Sequence, residues 1–327
     1  MPTNTATHEP AVSVRGLTKR YGDRTVVDGL DLDLPTGVVA GFVGPNGAGK
    51  TTTMAMLLGL VRPSAGAGTV LGEPIDRPAA YLPRVGAMVE SPAFYPALSG
   101  VENLRLFATV GGHPTDRIPA LLEIVGLADR GEDRYRTYSL GMKQRLGIAA
   151  ALLGDPALLI LDEPANGLDP QGVHEMRHLV GSLAHSGRTV LVSSHDLSEL
   201  EQLCDWLVMI DAGRCRYQGP AEDFLSGTGV LHARPEHAWD AAALHDALAA
   251  RGLHATVDGD RVRIDDGDLG GDELAAAVSR TAQDAGIVLV ELTRRRASLE
   301  DRYLALVSAT ETASPTTATT TGNGGPS

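Results

Sequence analysis

Cysteine occurs only twice in this chain of 327 residues, at Cys204 and Cys215, with neither metal-binding nor redox spacing between them. A disulfide framework is therefore excluded, and the two read as ordinary thiols of a reducing compartment. Lysine is almost absent, standing only at positions 19, 50 and 143, and the net charge is −13. An acidic chain repels polyphosphate, so no nucleic-acid partner is expected, and Arg294, Arg295 and Arg296 read as a solvated surface run. Long hydrophobic runs are missing too. The longest candidate, Leu146 to Leu161, is broken by Gly154, Asp155 and Pro156, short of the roughly 18 apolar residues a membrane span requires. The first residues, MPTNTATHEP, have neither a basic n-region nor an apolar h-region, which argues against an export signal. What remains is a globular composition long enough for one large domain and a smaller one.

The two ends, residues 1–10 and 308–327, are poor in large apolar side chains and rich in Thr, Ser, Pro and Gly, so both are expected to be disordered. Between them the pattern changes style near Phe224 to Gly229, placing one domain at 11–226 and another at 227–307. In the first, apolar runs at Val38 to Val43, Leu158 to Leu161, Thr189 to Val192 and Trp206 to Ile210 predict buried strands. They alternate with helical stretches at Thr51 to Leu60, Met142 to Leu153, Pro170 to Ala184 and Leu197 to Leu203. That alternation predicts an α/β fold with a mostly parallel sheet. Polar alternation at Val12 to Leu17 and Thr25 to Leu34 predicts an antiparallel edge subdomain. The second domain reads strand (230–233), helix (238–250), strand (254–258), strand (261–264), helix (273–285), strand (287–292), then a closing helix (298–307). This βαββαβ order predicts a small α+β, ferredoxin-like module.

The run VVAGFV leads into GPNGAGKTTT and a helix, so Gly44, Gly49, Lys50 and Thr51 match the G-x-x-x-x-G-K-[ST] phosphate loop in its required context. Glycines at 44, 47 and 49 let successive backbone N–H groups turn inward around a phosphate, and the following helix adds its positive N-terminal end. The loop residues Pro45, Asn46, Ala48 and Thr52 belong to the same cradle. Lys50 is suited to the β- and γ-phosphates and Thr51 to a Mg²⁺ ion. Further on, LLILDEP ends a buried strand in two carboxylates. Asp162 can hold Mg²⁺ through water, and Glu163 can polarise an attacking water; a helix N-cap pair is the plainer alternative. No N-K-x-D guanine signature occurs.

In this order the motifs resemble the ATP-binding cassette (ABC) family from Val12 to about Leu225, with a helical lobe expected at about 78–153. The resemblance implies ATP and Mg²⁺ as cofactors. It puts Tyr21 at the adenine-stacking position, where stacking contributes about 1 to 3 kcal/mol, although packing on an edge strand also explains an aromatic there. In YSLGMKQRLGIAAAL it sets Ser139 and Gly141 at the signature positions that reach the nucleotide of a second copy. Asp169 falls at the family's D-loop, a contact between the two copies, and His195, in VSSHDL, at the γ-phosphate switch. Two positions depart from the family pattern. Glu90 stands where Gln is common on the loop that senses the metal and the membrane protein, and Leu140 replaces a signature glycine. The ESPAFYP and SLGMKQR segments look like the drug and lantibiotic-type exporter branch, in which ATPase and permease are separate chains. A homodimer sandwiching two ATP molecules follows from that resemblance. So do a separate permease and a peripheral position on the cytoplasmic face of the membrane. Phe94, Tyr95 and Leu98 are candidate permease anchors, with packing inside the lobe an equal account. A cassette ATPase acting on ribosomes or DNA, and a lipid or polysaccharide exporter, are the alternatives. The second domain reads as a dimerisation module or a ligand-sensing regulator.

Overall fold

The computed structural model describes residues 9–89, 93–194, 196–225, 230–265, 271–295, 299–300 and 302–303. The chain separates into two compact units, Met1–Phe224 and Leu225–Ser327.

In the first unit the polar alternation near the start becomes β1 (Val12–Tyr21) and β2 (Arg24–Leu34), paired antiparallel. Val12, Val14, Leu17, Leu30, Leu32 and Leu34 point inward and are essentially fully buried. Next come β3 (Val39–Val43), buried at every position, and α1 (Lys50–Leu57), which stops short of the expected Leu60. Two strands with no apolar pattern follow: β4 (Ala65–Val70) and β5 (Glu73–Pro74). The β4 sequence AGAGTV has low strand propensity. It is held by pairing with β1 at so close an approach that a Cβ on Gly68 would lie 2.2 Å from the Ser13 carbonyl oxygen. These four strands form a sheet in the order β2-β1-β4-β5.

Short helix α2 (Pro78–Tyr81) leads to β6 (Val85–Met88), which pairs parallel with the later strand at 158–161. Residues 85–88 fall inside the stretch expected to be a helical lobe, yet they form an edge strand of the main sheet. Four residues around a glycine carry too little pattern to be read as a strand, and Gly86 is required because a Cβ there would lie 2.1 Å from the Ala151 carbonyl oxygen. The helices of the lobe proper are α3 (Gly100–Gly111), α4 (Ile118–Ile124) and α5 (Leu140–Ala151). A capping box starts α3: the Glu102 N–H donates to Ser99 Oγ at 3.1 Å, and Glu102 Oε2 accepts from the Ser99 N–H at 2.7 Å. That backbone bond holds the Glu102 carboxyl below its ordinary pKa.

The remaining elements are β7 (Leu158–Leu161), α6 (Pro170–His185), β8 (Thr189–Ser194), α7 (Leu197–Glu201), β9 (Trp206–Asp211), β10 (Arg214–Pro220) and α8 (Ala221–Leu225). The second sheet has the order β10-β9-β3-β8-β7-β6, parallel except for β10. Strands β3, β7 and β8 are buried throughout, which is why they read as continuous apolar runs. The C-terminal ends of all three open on one edge, where an open α/β sheet offers its ligand crevice.

The second unit contains β11 (Val230–Pro235), α9 (Asp240–Ala249), β12 (Ala255–Asp258), β13 (Arg261–Asp265), α10 (Gly271–Asp284) and β14 (Leu289–Arg295). Its sheet runs β12-β13-β11-β14, antiparallel throughout, the arrangement of a ferredoxin-like module. Leu231, Ala233, Val262 and Ile264 pack with Leu244, Leu248, Leu274 and Val278 into its own core. Of the closing helix, Leu299, Glu300, Arg302 and Tyr303 are helical and Leu299 is fully buried; the rest of that segment and residues 308–327 lie outside the described residues. So do residues 1–8, whereas Glu9 and Pro10 of the expected disordered end run directly into β1.

Candidate functional site

The loop between β3 and α1 turns where the glycines permit it. A Cβ on Gly44 would lie 2.3 Å from the Ile210 carbonyl oxygen. Gly49 caps α1 at φ 102°, a conformation side-chain-bearing residues rarely adopt. Lys50 lies buried at the start of α1 and folds back over the loop, its Nζ donating to the Gly44 carbonyl at 2.6 Å and standing 4.0 Å from Glu163 Oε1. A cavity of about 280 Å³ is lined by Pro45, Asn46, Gly47, Gly49, Lys50, Thr51 and Thr52, with Arg24, Val26 and Glu163 closing it. Its charge balance suits an anion bearing a metal, because a lysine and an arginine meet one carboxylate at a helix N-terminus. Gly44 supplies the turn and its carbonyl, and Ala48 is buried beneath the loop.

From β7, Asp162 is buried at the sheet edge and its Oδ2 accepts the Thr51 hydroxyl at 2.8 Å. A hydroxyl and a carboxylate so placed form a hard-oxygen pair that fits Mg²⁺, which keeps waters and phosphate oxygens for its other positions. Glu163 follows with φ 51°, unusual for a side-chain-bearing residue. That conformation is held on both sides: its N–H donates to Ser193 Oγ at 2.9 Å, and its carbonyl accepts from the Asn166 N–H at 3.1 Å. Ser193 Oγ in turn donates to Asp162 Oδ1. One hydroxyl thus orients both carboxylate residues, and no motif had singled it out. The available signal was a polar pair, Ser193 and Ser194, ending an otherwise apolar strand. Arg24 was also missed. It sits opposite Tyr21 across the β1–β2 turn, a pairing that only the hairpin register reveals.

Tyr21 itself is 51% exposed at that hairpin tip, with Lys19 Nζ 4.8 Å from its ring centre. It does not line the cavity. Ser139 caps α5, its Oγ accepting the Met142 N–H at 3.3 Å, and beside it Leu140 is exposed. Ser139 and Gly141 are also absent from the cavity wall; Leu168 lies nearest a Cβ placed on Gly141, at 3.7 Å. Asp169 caps α6 by accepting the Gly172 N–H at 2.8 Å. Glu90 and His195 lie outside the described residues. Of the three candidate anchors, Phe94 is buried and packs edge-on against Phe107 with ring centres 5.1 Å apart, Leu98 is half-buried, and Tyr95 is exposed. Phe94 therefore packs within the lobe while also lining a cavity beside β6. Asn103, also buried, ties this loop down by accepting the Tyr95 N–H at 2.8 Å and donating to the Tyr95 and Ser99 carbonyls.

A strand-loop-helix phosphate cradle beside a β7 carboxylate pair, with β8 inserted between β3 and β7, defines a P-loop nucleoside triphosphatase of the cassette kind. The ABC transporter family profile matches residues 27–166. The chain is 48% identical over 206 residues to the bacitracin transport ATP-binding protein BcrA of Bacillus licheniformis, covering 62% of this chain and 67% of that one. To the daunorubicin resistance ATP-binding protein DrrA3 of Streptomyces coeruleorubidus it is 38% identical over 310 residues, 91% and 96% of the two chains. A solved ATP-binding subunit of an ABC transporter superposes with a TM-score of 0.59 at 32% identity, over 66% of this chain and 92% of that one. The chain belongs to the ABC transporter family, as an ATP-binding ATPase subunit.

Proposed function

We propose that this subunit hydrolyses ATP with Mg²⁺ to power export of a drug- or antibiotic-type compound through a separate membrane permease. The observation that carries the reading is the junction of Thr51, Asp162, Ser193 and Glu163 at one sheet edge beside Lys50. Lys50 would leave the Gly44 carbonyl for the β- and γ-phosphates, and the loop N–H groups would orient them. Thr51 and Asp162 would hold Mg²⁺, which supplies charge neutralisation on the phosphates. Glu163, fixed through its backbone, takes the proton of the attacking water. Tyr21 stacks on the adenine, and His195, directly after β8, contacts the γ-phosphate.

Ser139 and Gly141 stand apart from the cavity of their own chain, which supports a role toward the nucleotide of a second copy in a homodimer. Among the described residues no helix is long and apolar enough to cross a membrane, so membrane work needs a partner that does. A cavity of about 570 Å³ beside β6, lined by Val85, Met88, Phe94, Phe107, His113 and Gly154, is the surface we assign to the permease. Glu90 follows β6 closely in the chain and would link metal site to permease. In this reading the protein works on the cytoplasmic face of the membrane, with residues 11–226 as the ATPase domain and 227–307 as a dimerisation module. The export reading draws on the relatives named for bacitracin transport and daunorubicin resistance.

Glu163→Gln keeps the shape of the site but cannot accept a proton, so turnover should fall by roughly 10² to 10⁴ while ATP still binds. Size exclusion with ATP should then show a trapped dimer. A Glu163→Gln chain that stays monomeric and turns over normally would move the catalytic role elsewhere.

A further inference from the structure

On the exposed side of α6, His174 and His178 stand one turn apart, their Nε2 atoms 3.0 Å from each other and their rings inclined by 80°. Neither belongs to the nucleotide site. Two imidazole nitrogens sharing one cation at about 2.0–2.1 Å each lie about 2.9 Å apart for a right-angled pair and about 3.4 Å apart for a tetrahedral one. The observed separation falls inside that interval. The geometry points to a bis-histidine site on α6 for a borderline divalent cation of the Cu²⁺, Ni²⁺ or Zn²⁺ class.

Imidazole donors select such cations over Mg²⁺ and Ca²⁺, which prefer oxygen ligands, so this site and the Thr51–Asp162 pair do not compete for the same ion. The neighbours leave the two rings available. Glu175 is engaged by Arg145 at 3.3 Å and by Gln171 at 3.1 Å, and His185 Nδ1 lies 2.7 Å from the Gly181 carbonyl. Among the described residues no set of three His, Cys, Asp or Glu side chains could complete a metal centre. Water or a partner's donor therefore fills the other positions, and the cation is exchangeable rather than a fixture of the fold. Its consequence follows from position. Val173, Met176, Arg177 and Val180 of the same helical turns line a cavity of about 140 Å³ that Glu163 also borders. A cation clipping residue 174 to 178 stiffens that wall.

The test uses the tag-free full-length chain, stripped with chelator and free of nucleotide, titrated calorimetrically with Cu²⁺, Ni²⁺, Zn²⁺ and Mg²⁺. One saturable site should appear, tightest for Cu²⁺, with no such site for Mg²⁺, and the Cu²⁺ electron paramagnetic resonance spectrum should show two coordinated nitrogens. His174→Gln and His178→Gln, whose folding circular dichroism verifies, should each weaken Cu²⁺ binding at least about tenfold and reduce the spectrum to one nitrogen. Ni²⁺ should raise the melting temperature of the wild type and of neither variant. Absence of saturable Cu²⁺ binding, or affinity and spectrum unchanged in both variants, overturns the assignment and leaves a plain hydrogen bond between the two rings.

Discussion

The phosphate loop and the signature segment meet different fates within one chain. Lys50 and Thr51 already have partners in their own chain, the Gly44 carbonyl and the Asp162 carboxylate. Ser139 does no more than cap its own helix, beside the exposed Leu140. The first region is held together within the chain, because three buried strands bring its parts to one edge. The second presents a helix N-terminus that does not line the cavity of its own chain. On the proposed reading, the first region would bind nucleotide within one chain and the second would act on the nucleotide of another copy.

The sharpest way to break that comparison is at the self-contained half. Lys50→Ala removes a charge-assisted contact of about 1.5 to 3 kcal/mol, so ATP affinity should fall about 10- to 150-fold, and more in a closed site. Fluorescent-nucleotide binding measures it, and undiminished affinity would relocate the phosphate site. Ser193→Ala comes next. It strands the Asp162 carboxylate oxygen and the Glu163 N–H, each buried or half-buried, at about 1 to 3 kcal/mol. We expect a lower melting temperature and a loss of turnover with little change in ATP affinity. Wild-type turnover would mean that the backbone alone fixes Glu163.

The other half is tested by mixing. Ser139→Arg and Lys50→Ala chains should each be poor alone, while equal mixing lets half the dimers hold one complete composite site, up to about a quarter of wild-type turnover for a two-fold dimer. Exchange without any gain over the average would favour hydrolysis within one chain. The smallest effect concerns the core behind the loop, where a Cβ on Gly41 would meet Cys204 Sγ at 2.9 Å. Burial, with Asp205 adding to it, pushes the Cys204 thiol far above the ordinary range, and burial also raises Cys215. At pH 8.5, where a free thiol is about half ionised, both should alkylate far more slowly in the folded chain than in denaturant. The raised Cys204 value adds stability that is complete below the ordinary thiol pKa and declines as pH rises above it. Rapid native labelling would show that this core opens.

Much of the site was legible because its motifs are local. Glycine at 44 and 49, Lys50 and Thr51 follow a strand and open a helix within ten residues, so backbone conformation and side-chain chemistry are specified together. Asp162 and Glu163 were legible for a related reason: a buried strand ending in two charges has few other uses. The βαββαβ order of the second unit was equally readable, since each element there carries its own period. Two features resisted. Strand β4 is written in alanine and glycine, and β6 in four residues around Gly86, so neither has a period to detect. Both exist because a neighbouring strand supplies their hydrogen bonds.

The sequence by itself determined that a loop of the phosphate-cradle pattern and a carboxylate pair after an apolar strand were present, because each is a short run whose residue types dictate its own geometry. Only the tertiary structure decided that β8 lies between β3 and β7, so that Ser193 reaches both Asp162 and the Glu163 backbone. It also turned Phe94 inward against Phe107 while leaving Tyr95 exposed. Strand order and side-chain partnership are set by contacts between residues far apart in the chain. Those contacts form only when buried apolar surfaces choose their neighbours, a choice that no local run of residues encodes.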